Sequence, residues 1–268
     1  EGIKSIATEV HQKSTLLIQK IQELGLTISS ANSFDTLCIK DNSATIAKIK
    51  QALLTAEINV GLLNNESITI AVDETSSIAQ LNTLLSTIAS ALNKKAGVIS
   101  LEQVLTTNSS IPADLERKST FLSHPVFNTY HSESEMMRYI KKLENKDLSL
   151  VHSMISLGSC TMKLNAAAEM MPLSNPLFAN LHPFVPKNQA EGYLEMVNNL
   201  GEYLKTITGF AGISFQPNSG AQGELAGLLV IKAYLEAKGE KQRTIALIPS
   251  SAHGTNPATA VMCGYTVR

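Results

Sequence analysis

The sequence Gln216-Pro-Asn-Ser-Gly-Ala-Gln-Gly-Glu224 decides the fold of the second half of the chain, because it stands where a predicted strand turns into a predicted helix. Apolar segments of strand or helix length surround it, at residues 213–215, 225–235, 244–248 and 265–267. Alternation of strands and helices predicts a parallel sheet, since parallel strands need helical crossovers. Ligands bind at the carboxyl ends of the strands in such sheets. We therefore expect the functional site in the polar loops that follow the strands.

The first polar loop has two possible roles. The first amide groups of a helix have no partner within the helix, and Gly220 and Gly223 would let an anion approach the backbone closely. The helix dipole adds partial positive charge, so a phosphate group is a natural ligand. Alternatively, Ser219 and Gln222 have the spacing of a capping box, which needs no ligand. The glycines match neither the dinucleotide nor the nucleoside-triphosphate motif.

The second polar loop, Pro249-Ser-Ser-Ala-His-Gly-Thr-Asn-Pro-Ala258, carries a histidine after a predicted strand. His253 could stack on a planar ligand, act as an acid or base, or hydrogen-bond its own loop. Ser251 and His253 could suggest a hydrolase, but no G-x-S-x-G motif precedes them. The sequence favours a ligand-stacking or loop-structural histidine over a catalytic triad.

Composition excludes several classes of protein. The 268 residues are 44% hydrophobic and 17% charged, with a formal net charge of −1 and no basic cluster, so we predict no nucleic-acid partner. No apolar run reaches membrane-spanning length, and no signal peptide precedes the first predicted helix. We therefore predict no membrane partner.

Cysteine and histidine spacing predicts neither disulfides nor metal. The three cysteines are Cys38, Cys160 and Cys263. They form no C-x-x-C pair, which favours a reducing compartment. None of the six histidines has a recognisable metal-ligand spacing, so we predict no metal.

The spacing of apolar residues over positions 1–93 predicts a compact α+β unit, with helices on one face of a small, antiparallel sheet. The helices are predicted over residues 6–24, 43–56 and 76–92, and the strands over residues 36–39, 59–63 and 67–72. Gly25 is predicted to end the first helix. Residues 94–120 are predicted as a linker that could hold a short helix, and residues 121–268 as an α/β unit with further helices at 135–145 and 189–207.

The segment Ser156-Leu-Gly-Ser-Cys-Thr-Met-Lys-Leu-Asn165 is dense in small polar residues. The amides of residues 158–160 could bind a carboxylate, and Lys163 could neutralise it. An ordinary turn before a helix over residues 165–171 is an equal alternative. Cys160 is not predicted to be a nucleophile, because no activating base can be assigned.

Several motifs together resemble one family. They are His124-Pro-Val-Phe-Asn-Thr-Tyr-His-Ser-Glu133, Leu143-Glu-Asn-Lys-Asp147, the segments 156–165 and 217–224, and Ser251-Ala-His-Gly-Thr-Asn-Pro-Ala258. This set is similar to the P-protein family of the glycine cleavage system, the pyridoxal-phosphate-dependent glycine dehydrogenases (decarboxylating). The resemblance implies the fold-type-I architecture of that family. Residues 1–93 would be the small subdomain of its first half, and residues 121–268 the start of its second, catalytic half.

The resemblance also implies a site. Ser219, Gly220 and Ala221 match the loop that binds the phosphate of pyridoxal 5'-phosphate. His253 matches the residue that stacks on the pyridine ring. Thr255 is also expected to be a cofactor-binding residue. Ser159, Cys160, Lys163 and Asn165 match a region near the substrate.

The implied reaction releases CO2 from glycine and transfers the aminomethyl group to the lipoyl arm of the H-protein. The implied partners are glycine, lipoylated H-protein, and a second copy or second half of the same protein in a homo-oligomer or pseudo-dimer. The implied location is the bacterial cytoplasm or the mitochondrial matrix.

The chain stops at Arg268, before the positions where the family keeps its Schiff-base lysine and the aspartate of the pyridine nitrogen. We therefore expect a fragment with no catalytic lysine of its own, inactive by itself. Two alternatives remain. One is a non-catalytic binding or assembly module. The other is a different fold-type-I decarboxylase for a larger amino acid, which the segment 156–165 disfavours.

Overall fold

The computed structural model describes residues 2–29, 32–147 and 166–268. The chain forms two compact units, Glu1–Leu122 and Ser123–Arg268. Together they form a mixed α/β protein, with a small antiparallel sheet in the first unit and helices in both.

The first unit alternates helices and short strands. Its elements are α1 Gly2–Glu23, β1 Thr27–Ile28, β2 Thr36–Lys40, α2 Ser43–Thr55, β3 Gly61–Asn64, β4 Ser67–Ala71, α3 Ile78–Ala91 and α4 Leu101–Thr106. The strands pair in the order β1-β2-β4-β3, and every pair is antiparallel. The predicted antiparallel sheet is therefore confirmed. Strand β1 was not predicted, because two residues are too few to show an alternating pattern.

Local signals in the sequence set the ends of these elements. Gly25 has φ +77° and follows α1, which confirms the predicted helix end, because glycine adopts this backbone conformation without steric cost. The side chain of Asn42 caps α2 by accepting a hydrogen bond from the amide of Thr45. Ser77 and Gln80 form a reciprocal capping box at the start of α3.

The core of the first unit is aliphatic. Along β2, Leu37 and Ile39 are buried while Thr36 and Lys40 are exposed, as expected when one face of a sheet packs on the core. The other fully buried side chains come mainly from the helices and β4: Leu17, Ile21, Ile46, Ile49, Leu53, Ile68, Leu85 and Ile88. Ile99 and Val104, from the segment predicted as a linker, are buried in this same core.

The second unit is mainly helical. Its elements are α5 Glu133–Glu144, α6 Ala167–Met170, α7 Pro176–Ala179, α8 Glu191–Thr208, α9 Gly220–Ala237, β5 Ile245–Ala246, α10 Thr255–Met262 and β6 Thr266–Val267. Short 3-10 turns lie at Pro125–Asn128, Met171–Ser174 and Lys187–Gln189. The predicted capping box of α5 is confirmed, since Ser132 and Glu135 bond each other's backbone amides.

Strands β5 and β6 form a parallel pair, with Ile245 opposite Thr266 and Ala246 opposite Val267. Helix α10 lies between them in the chain, as a parallel connection requires. The predicted parallel unit is therefore confirmed over these residues. The strand predicted over residues 213–215 is wrong, because these residues have no strand assignment. An apolar segment becomes a strand only where another strand supplies hydrogen bonds, and the apolar pattern does not report that partner.

Candidate cofactor site

The start of α9 is built around Ser219, the N-cap residue. Its side-chain oxygen accepts a hydrogen bond from the amide of Gln222 at 3.2 Å. The side chain of Gln222 does not return to Ser219 but accepts from the amide of Asn218 at 2.7 Å. Only half of the predicted capping box is therefore formed as expected. The side chain of Gln222 instead binds the amide of Asn218, the residue before the N-cap. This bond fixes how the chain enters α9.

The first amides of α9 are free to bind an anion. The amide of Gly223 donates to the carbonyl of Ser219 at 3.0 Å, whereas the amides of Gly220 and Ala221 carry no hydrogen bond within the described part of the chain. A Cβ atom added at Gly220 or Gly223 would meet no atom within 4 Å. The helix start thus combines unbonded N–H groups with open space, which are the requirements of a phosphate site.

The loop after β5 presents His253. Its Nδ1 atom lies 3.2 Å from the amide nitrogen of Thr255 and 2.9 Å from the Thr255 hydroxyl oxygen. The imidazole ring is exposed, so its faces are available to a planar ligand. The sequence suggested two roles for His253, one in the structure of its loop and one in stacking on a ligand. The two roles are compatible, because the contacts with Thr255 that hold the loop also hold the ring.

Thr255 joins the two loops. Its hydroxyl donates to the Oε1 atom of Glu224 on α9 at 3.1 Å. Glu224 was missed as a site residue in the sequence analysis. The available signal was its position, since it is the only charged residue among residues 213–231.

Helices α9 and α10 pack against each other. Lys232 Nζ on α9 donates to the carbonyl of Cys263, which follows α10, at 2.8 Å, and Glu224 and Thr255 meet near the starts of the two helices. The buried Cys263 also directs its Sγ atom towards the carbonyl of Leu225, at 3.8 Å. The bond between Thr255 and Glu224 therefore links the loop that carries His253 to the start of α9.

The four predicted substrate-region residues, Ser159, Cys160, Lys163 and Asn165, lie outside the described residues. Among the residues that the structure describes, no group of three or more His, Cys, Asp or Glu side chains could hold a metal ion. No helix in the described ranges is long and apolar enough to cross a membrane.

The fold and this site define a class: an α/β unit in which a helix start with unbonded amides lies beside a loop histidine. Comparison with known proteins is more specific. Residues 1–88 match the family model described as glycine cleavage system P-protein. Along its whole length the chain is similar to proteins named glycine dehydrogenase (decarboxylating).

These similarities are extensive. The relative from Flavobacterium johnsoniae is 51% identical over 267 residues, which cover 100% of this chain and 28% of that protein. The mitochondrial relatives from Pisum sativum and Dictyostelium discoideum are 46% and 48% identical and also match 100% of this chain, which covers 25% and 27% of their lengths. The resemblance to the P-protein family is therefore confirmed, and the chain spans about a quarter of these relatives.

Proposed function

We propose that this chain is part of a glycine decarboxylase that releases CO2 from glycine and passes the aminomethyl group to the lipoyl arm of H-protein. The observation that carries the proposal is the 51% identity to a glycine dehydrogenase (decarboxylating) over all of this chain. Identity at this level across both units supports the same role for the part of the protein that the chain represents.

We propose pyridoxal 5'-phosphate as the cofactor of the α9 site. The unbonded amides of Gly220 and Ala221 and the hydroxyl of Ser219 would hold the phosphate group. The exposed ring of His253 would stack on the pyridine ring, with Thr255 fixing the histidine. When bound, the cofactor supplies an electron sink for the charge that is left when CO2 departs.

The residues of this chain would therefore bind and orient the cofactor. Lys232 lies on α9, but its ammonium group is held by the carbonyl of Cys263. Lys232 therefore contributes to the packing of α9 on α10. We propose that the lysine that binds the cofactor covalently lies outside the 268 residues. On this basis we expect no glycine turnover by this chain alone.

The remaining proposals concern architecture and surroundings. We propose the fold-type-I architecture, with residues 1–93 as a small subdomain, 94–120 as a connection and 121–268 as the start of the catalytic half. We further propose glycine and lipoylated H-protein as partners, assembly as a homo-oligomer or pseudo-dimer of two halves, and a bacterial cytoplasmic or mitochondrial location. Relatives of both bacterial and mitochondrial description support the last point.

The direct test is an exchange assay on the complete protein that contains this chain. Labelled bicarbonate should enter the carboxyl group of glycine only when pyridoxal phosphate is present, and lipoylated H-protein should increase the rate. Unlipoylated H-protein is the matched control. Decarboxylation of a larger amino acid without glycine exchange would support the alternative decarboxylase and contradict the proposal.

A further inference from the structure

We propose that Glu224 is a positioning residue, which holds the imidazole ring of His253 through the hydroxyl group of Thr255. The inference rests on the proposed function, because it concerns the histidine that is proposed to stack on the cofactor. Glu224 itself is not proposed to contact the cofactor. It acts from α9 across the helix pair.

The contacts form a continuous chain of three side chains. The Thr255 hydroxyl lies 3.1 Å from Glu224 Oε1 and 2.9 Å from His253 Nδ1. An ionised carboxylate can only accept hydrogen bonds, so the single hydroxyl proton points to Glu224. The hydroxyl oxygen then bonds the ring by accepting from His253, in the tautomer that carries its proton on Nδ1. The carboxylate thereby sets the orientation of the hydroxyl group that His253 meets.

Both the side chain and the backbone of Thr255 restrict the movement of this arrangement. Threonine is branched at Cβ, which restricts its side-chain rotation. The amide of Thr255 also approaches His253 Nδ1, at 3.2 Å. Thr255 therefore contacts the ring through its backbone and its side chain. Its hydrogen bond to Glu224 fixes the Thr255 rotamer, and so also fixes one edge of the ring.

The second carboxylate oxygen of Glu224 is a further observation in support of this role. Its Oε2 atom is buried and has no hydrogen-bond partner in the described part of the chain. A buried polar atom without a partner costs free energy of folding. Such a cost in a residue that also contacts a candidate site indicates a functional role.

The test uses the complete protein and pyridoxal phosphate as the probe, titrated by visible absorption. Glu224→Ala should raise the Kd for pyridoxal phosphate roughly tenfold and shift the absorption maximum of the bound cofactor, since the stacked ring loses its support. Glu224→Gln keeps an acceptor oxygen for Thr255 and should restore most of the affinity. Glu236→Ala, at an exposed position of the same helix, is the matched control and should bind normally.

A double-mutant cycle separates positioning from general damage to the fold. If Glu224 acts through Thr255, then Glu224→Ala should cause no further loss of affinity in the Thr255→Val background. Thermal unfolding of Glu224→Ala should not begin at a lower temperature, because the substitution removes the unpaired oxygen.

Three results would overturn the inference, and they differ in what they say about the proposed function. Normal cofactor affinity in Glu224→Ala, or a loss of equal size in both backgrounds, would overturn the positioning role alone. Failure of the unsubstituted protein to bind pyridoxal phosphate would overturn the proposed function and this inference together.

Discussion

Lys232 on α9 and Cys263 at the end of α10 are joined by a hydrogen bond of 2.8 Å, from the lysine Nζ atom to the cysteine carbonyl oxygen. A long cationic side chain is thus used to satisfy the last turn of a neighbouring helix, where the helix dipole also favours positive charge. The bond links the two helices whose first residues form the candidate site.

Replacing this lysine should loosen the helix pair. We expect Lys232→Met to lower the free energy of unfolding of the second unit by about 1–2 kcal/mol, because the substitution leaves a partly buried carbonyl without its donor. Lys241→Met, at an exposed position just after the helix, is the control and should change stability by less than about 0.5 kcal/mol. Urea unfolding followed by circular dichroism measures both. Equal stability of the two variants would show that the bond contributes nothing.

The core of the first unit gives a prediction about packing. Ile49 and Leu54 lie on the same helix, α2, but Ile49 is fully buried and Leu54 is 52% exposed. Ile49→Ala should therefore cost about 2–5 kcal/mol, through lost burial and a cavity. Leu54→Ala is the matched control, and we expect it to cost well under half as much. Chemical unfolding of the purified chain supplies both values, and similar losses would contradict the assigned core.

Acid should weaken the turn that precedes α3. Hydrogen bonds from the side chain of Ser76, and then from that of Thr75, lower the pKa of Asp73 from its ordinary value of 3.8. A carboxyl group with a lowered pKa stabilises the fold above its unfolded pKa, and this contribution is lost as the pH falls through the folded pKa. The affected window lies at and below about pH 4.

Asp73→Asn should therefore reduce the loss of stability on acidification. We would compare thermal unfolding midpoints at pH 5 and pH 3 for the wild-type chain, Asp73→Asn and the exposed control Asp114→Asn. The wild-type midpoint should fall more than that of Asp73→Asn. The same fall in all three proteins would show that Asp73 does not contribute to the acid response.

A substitution at Ser219, the N-cap of α9, can distinguish a structural role of this residue from a phosphate-binding role. Aspartate is as good an N-cap as serine, so Ser219→Asp should keep the stability of α9. Its negative charge would repel a phosphate group, so affinity for pyridoxal phosphate should fall by at least roughly tenfold. Ser77→Asp, at the cap of α3, is the control and should leave cofactor binding unchanged. Unchanged affinity in Ser219→Asp would identify Ser219 as a cap only.

Much of the fold could be predicted because its signals are local. The start of α9 follows from Ser219, and the end of α1 from Gly25, since each residue type suits the backbone at that position. The capping box of α5 follows from the spacing of Ser132 and Glu135. These elements do not depend on a distant partner.

The features that the sequence does not reveal depend on contacts between distant residues. The bond between Thr255 and Glu224 joins residues 31 positions apart and exists only because α9 packs on α10. The same holds for Lys232 and Cys263. Residues 213–215 have the composition of a strand, but no pattern within them reports whether another strand lies beside them. Ser219, His253 and Thr255 could be selected from motifs, whereas Glu224, which accepts the hydrogen bond from Thr255, was not selected.

We propose that the loop at residues 219–221 and His253 bind pyridoxal phosphate and that the covalent lysine lies elsewhere. The most direct measurement is a pyridoxal phosphate titration of this chain by visible absorption, followed by borohydride reduction and peptide mass mapping. The account predicts reversible binding, weakened by Ser219→Asp, with no single lysine labelled in stoichiometric amount. Stoichiometric labelling of one lysine, such as Lys163 or Lys232, would contradict it.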